Sequence, residues 1–187
     1  MTTKTETRIY TSESSKIQYS PEQKFDNKKM RHYSDGKVSV LHCHHYATLF
    51  TQLACDADNF NGPKLLCEAS YETFYSVLNN YYKKHKVTDL CDRISLAEQY
   101  FSFAGLGEIK FEFSDNSGTA ILAHSHVDEG WIKKWGQANK SVNYIGEGFI
   151  KAAWSAIVGK GNPSKFKVKE TESIVTGAPK SKFNFSW

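Results

Sequence analysis

Five of the seven histidines in this 187-residue chain fall in two short clusters, His42-Cys43-His44-His45 and His124-Ser125-His126, the second followed by Asp128 and Glu129. On a helix His42 and His45, three apart, share a face. On a strand His124 and His126, two apart, point the same way. Brought together, the two pairs offer four imidazoles, a set that suits zinc or non-haem iron. Asp128 or Glu129 would then orient a ligand's second nitrogen or act as a general base. His44 points elsewhere on a helix and is the least suited of its cluster to join the pair. A single histidine as axial ligand of a haem is a further alternative. The plain alternative is an exposed first helical turn for one cluster and a solvated strand end for the other.

Aromatic residues supply the second kind of chemistry. Phe, Tyr and Trp make up 14% of the chain, which favours a packed interior or an aromatic-lined pocket. Trp131 and Trp135 are four apart and would stack on one face of a helical turn, either as a lid over an apolar pocket or as edge packing. Tyr100 and Phe101 fall on one helical stretch, Phe149 and Trp154 on another. These six are the candidate ligand-binding residues, with histidines as the few polar groups such a pocket needs. Glu68 and Glu72 share a helix face but lack the Glu-x-x-His that accompanies metal-binding bundles, and read as a solvated face. No phosphate-binding G-x-x-x-x-G-K-[ST] and no G-x-S-x-G nucleophile elbow occurs, so a nucleotide cofactor is not expected.

The elements that must position these residues follow from periodicity. Residues 1–30 are polar and aperiodic, and read as a flexible or loosely docked tail ahead of one domain over 31–187. Ser34-Asp35-Gly36 makes a turn and Val38–Leu41 a short strand. Tyr46, Leu49, Phe50 and Leu53 have helical spacing, and Pro63 opens a long helix ending near His85. A third helix runs through Leu96–Ala104. From Glu108 the period becomes two, with Ile109, Phe111 and Phe113 alternating with charges, then a turn at Asp115–Gly118 and a return strand over Thr119–Val127. A helix over 142–158 and strands near 165–175 and 181–187 complete the chain. The expected class is α+β, a helical first half packed on a largely antiparallel sheet.

Charge and cysteine usage narrow the partners. The formal charge of +4 is mild and the lysines are dispersed, so nucleic acid is not expected. Cys43, Cys55, Cys67 and Cys91 form no C-x-x-C pair and read as reduced thiols. No apolar run is long enough to span a membrane, and the N-terminus lacks a signal peptide's apolar core, so a cytoplasmic location is expected.

The stretch from Val142 onward carries a resemblance. VNYIGEGFIKAAWSAIVG followed by FKVKETESIVTGAPKSKFNFSW resembles the closing half of the 4-vinyl-reductase-type, or hydrocarbon-binding, domain family. Asn143, Tyr144 and Gly148 stand where that family has a Cys, an aromatic and a Gly. Ala152 replaces a second helix glycine. Glu170, Ser173, Gly177, Ser181 and Phe183 stand where it has an acid, a Cys, a Gly, a Cys and an aromatic. The resemblance implies a pocket between helices and sheet for a small hydrophobic or aromatic molecule, and a dimer formed through the helices. All three thiol positions are Asn or Ser, so no zinc is expected at the family's usual place. The readings to be separated are a small-molecule binding module, a His-ligated zinc or iron enzyme acting on a small organic substrate, and an interaction protein built as a homodimer.

Overall fold

Alternation dictates the main sheet. In the computed structural model, which describes residues 8–40, 43–114, 116–159 and 166–186, β4 (Gly107–Phe113) buries Ile109, Phe111 and Phe113 and exposes the charged residues between them. It pairs antiparallel with β5 (Ser117–Ser125). The last two strands, β6 (Lys167–Glu172) and β7 (Ser181–Ser186), add on in the order β4-β5-β7-β6, every pairing antiparallel. With the helices packed on this sheet, the chain has the α+β class that the periodicities imply.

Helix α5 (Tyr144–Val158) is the centre of the molecule, with ten of its residues buried. Trp154 lies over Phe113 and Phe185, its ring centroid 4.7 and 4.9 Å from theirs. On its other side α5 packs against α2 (Gly62–Lys84). Gly148 makes that crossing possible, because a Cβ there would sit 2.4 Å from the Cys67 carbonyl oxygen. Helix α3 (Leu90–Phe103) starts at Asp89, whose side chain accepts from Asp92 N, and buries Ile94, Leu96, Ala97 and Phe101.

Helix α1 (His44–Asp56) packs on α2 and on α4 (His126–Trp135). Here the structure departs from the sequence expectation. The return strand stops at Ser125, whose hydroxyl accepts from the Asp128 N–H and starts α4. Two acids in the first turn and two lysines in the last suit the helix dipole. His124 and His126 therefore belong to different elements instead of sharing a strand face.

The polar N-terminal stretch also differs from a loosely held tail. Tyr10 pairs with Phe113 through two backbone hydrogen bonds of 2.8 and 2.9 Å. Ser12 donates to the buried Glu98 carboxylate, and Gln99 clamps Tyr19 N and Ile17 O. Strands β1 (Gln23–Asp26), β2 (Arg31–Ser34) and β3 (Lys37–Ser39) then form a small antiparallel sheet. Isolated anchors nine residues apart leave no periodic trace, which is why periodicity does not reveal this docking.

Candidate functional site

The small sheet stands off from α2 and the end of α3 and leaves a cavity of about 730 Å3 between them. Tyr19, Tyr81, Tyr100 and Phe103 give it an aromatic wall, and Val38, Val40, Val77 and Ala104 extend the apolar surface. The rings pack on one another, Tyr19 lying 4.6 Å from Tyr81, 5.2 Å from Phe103 and 5.5 Å from Tyr100. Polar groups edge the cavity. Lys84 Nζ is 2.7 Å from Asp35 Oδ1, and Lys37 donates to Ser76 at 2.6 Å. Burial pushes the Tyr100 phenol up to about 12, and burial first, then the neighbouring Tyr100 and Asp35, raises Tyr19 as well. Both hydroxyls stay protonated at neutral pH and are available as neutral hydrogen-bond groups. A second cavity of about 640 Å3 adjoins the first at Val40 and Thr73, lined by Tyr46, Phe50, Phe74 and Ile145 among others. Volumes of this size fit a small organic molecule.

Of the six aromatic candidates, only Tyr100 faces this space. Phe149, Phe101 and Trp154 are fully or almost fully buried and form a solid interior. Phe149 sits 4.7 Å from Phe101 and 5.1 Å from Phe74. Trp131 belongs to a separate small cluster with Val142 and Val175. Trp135 is partly exposed and tilts against Trp131 at 4.8 Å. Sequence reasoning missed Tyr19, Tyr81 and Phe103. Tyr81 lies on the apolar stripe of α2 and could have been found there, whereas Tyr19 sits in the stretch read as tail.

The histidine clusters meet through a different member. Gly130 lets α4 approach α1, where a Cβ would lie 2.8 Å from Thr48 and 3.0 Å from the His44 Cβ. The His44 ring comes within 5.9 Å of His126 and lies tilted against His45 at 4.4 Å. His44 Nε2 is buried without a hydrogen-bond partner. His45 is exposed. His124 is exposed too, its Nδ1 3.3 Å from Glu129. His42 lies outside the described residues. Among the described residues no three His, Cys, Asp or Glu side chains gather as a metal would require.

Asp128 has other company. Its Oδ2 accepts from Asn143 Nδ2 and Ser181 Oγ, each at 3.0 Å. Asn143 Nδ2 also donates to Ser125 Oγ, and Asn143 Oδ1 caps α5 by accepting from Gly146 N. Ser181 Oγ accepts from Ile174 N. Ser173 is buried beside them. The Glu170 carboxyl is pushed up to about 7, mainly by burial and then by Asp128. The positions at which the resembled family implies a zinc site thus do converge, but on oxygen and amide groups. They do not fit a structural zinc, which takes about four ligands drawn mostly from thiolate and imidazole.

With this geometry in place, the class is a single α+β domain whose fold has solved counterparts. The chain is similar to the phenol-responsive sensory domain of the transcription activator PoxR, solved with phenol, with a TM-score of 0.70 at 13% identity, covering 88% of this chain and 84% of that one. It also matches a trafficking protein particle complex subunit 3 from Naegleria fowleri, covalently bound to palmitic acid, with a TM-score of 0.49 at 8% identity, over 76% of this chain and 93% of that one. No protein-family model matches the chain, and no curated protein matches its sequence. Among the described residues no helix is long and apolar enough to cross a membrane.

Proposed function

We propose that this protein is a diverged 4-vinyl-reductase-type binding module that takes a small hydrophobic or aromatic molecule into the cleft between the small sheet and helices α2 and α3. The observation that carries this reading is the cavity of about 730 Å3 with its wall of Tyr19, Tyr81, Tyr100 and Phe103. Such rings favour edge-on and offset contacts with another aromatic. The protonated hydroxyl of Tyr100 and the Lys84–Asp35 pair supply orientation at the rim. The fold likeness to a domain solved with phenol supports the choice of probe. Titration of phenol, indole and naphthalene, followed by calorimetry, tests the reading. Saturable binding that Val77→Trp weakens at least tenfold, with the far-ultraviolet spectrum unchanged, is expected on the basis that the indole fills the cavity. Equal binding by both proteins, or none by either, would sink it.

One geometric observation favours the competing reading of a His-held zinc or iron, namely the approach of His44 and His126. Near-stoichiometric metal in untagged protein, lost in His126→Ala, would support that reading over the first.

A further inference from the structure

The corner where α4, α5 and the β6–β7 hairpin meet is a buried, hydrogen-bonded polar cluster. It also holds the positions where the resembled family places zinc thiols. We propose that this corner is a metal-free anchor, in which hydrogen bonds converging on the Asp128 carboxylate join the hairpin to the two helices in place of a coordinated ion.

Three observations carry the proposal. The donors are two carboxyls, an amide and hydroxyls, with neither thiol nor imidazole among them. Most of these groups are already engaged with one another: Asp128 Oδ2 holds Asn143 and Ser181, Asn143 also reaches Ser125, and Ser181 takes the Ile174 N–H, while Glu170 Oε1 and Ser173 Oγ have no hydrogen-bond partner. Each bond links separate elements, so α4, α5, β5, β7 and the turn before β7 are tied through one carboxylate. Finally, Asp128 is wholly buried, and its Oδ1 has no hydrogen-bond partner. A buried carboxyl needs either a cation or hydrogen bonds and relief from like charge. The bonds from Asn143 and Ser181 supply the first part. A proton on one of the two neighbouring carboxyls supplies the second, since burial raises both Asp128 and Glu170.

The two ways of satisfying Asp128 respond in opposite directions to one isosteric change. In Asp128→Asn the side-chain oxygen keeps both accepted bonds, and the amide nitrogen replaces the unpartnered Oδ1. A metal-free anchor tolerates this; a cation site loses its charge and its ion. Asp128→Ala removes the acceptor and leaves Asn143 and Ser181 without a partner. Thermal unfolding of wild type and both variants is measured with chelator and with added zinc, calcium or magnesium. We expect Asp128→Asn within about 2 °C of wild type or above it, and Asp128→Ala roughly 5–10 °C below it. Any response to cation or chelator should be the same in wild type and Asp128→Asn. A Tm for Asp128→Asn several degrees low, an Asp128→Ala protein as stable as wild type, or a cation response present in wild type and gone in Asp128→Asn would each overturn the proposal.

Discussion

The interior between α5 and the main sheet and the cleft under the small sheet are built from the same residue types, yet one is solid and the other hollow. In the interior, Phe149, Phe111 and Trp154 sit on elements that approach one another directly, so their rings interlock. In the cleft, Tyr19, Tyr81 and Phe103 come from three separate segments, a docked strap over residues 10–19 and helices α2 and α3, and the small sheet is tethered to α2 by polar contacts such as Lys37–Ser76 and Lys84–Asp35. Aromatic content alone therefore does not mark a pocket. What matters is whether the backbone elements carrying the rings are free to close on each other.

The largest expected effect breaks the solid side. Phe149→Ala removes a fully buried ring from the centre of the aromatic cluster and should cost about 3–5 kcal/mol in urea unfolding. A smaller loss would mean the interior is looser than its packing indicates. Next comes the strap that carries Tyr19. Glu98 accepts from Ser12, Lys110 and the Phe111 N–H, so Glu98→Ala should cost roughly 1–3 kcal/mol and expose the N-terminal stretch to limited proteolysis. The hollow side should answer differently. Val77→Trp is expected to change stability by less than about 1 kcal/mol, against a binding loss of at least about 1.4 kcal/mol, the equivalent of tenfold. The last effect is a pH dependence outside both regions. Burial, Asp128 and Glu147 raise the Glu170 carboxyl from 4.5 to about 7, so the folded protein holds that proton more tightly than the unfolded chain. Its contribution is full below about pH 4.5 and falls away as pH rises through about 7. Glu170→Gln should flatten that part of the stability profile, measured as Tm against pH.

Much of the architecture was legible in the residues. Period-two alternation at Ile109, Phe111 and Phe113 gave β4, and Pro63 marked the start of α2 to within a residue. The stretch before residue 23 was not legible, because Tyr10 and Tyr19 are single anchors whose partners, Phe113 and Gln99, lie 103 and 80 positions further along the chain. The candidate site was legible only at Tyr100. Phe101 and Phe149 have the composition of pocket residues, but which way a helix turns them depends on what packs opposite, and a single sequence does not state that. At the histidines, the switch from strand to helix at Ser125 decides the geometry. A serine followed three residues on by an acid is a capping signal, and read as one it would have separated His124 from His126.

At the crossing of α2 and α5, Gly148 lies against the Cys67 carbonyl and the Ser70 Cβ with no room for a side chain of its own, and so little there can yield. On the proposed reading, a guest entering beneath the small sheet would find one wall fixed to the middle of the molecule. The width of its berth is then set by how far β1–β3 stand from that wall, and guests of different girth should be sorted by the sheet's position while the helices stay where they are.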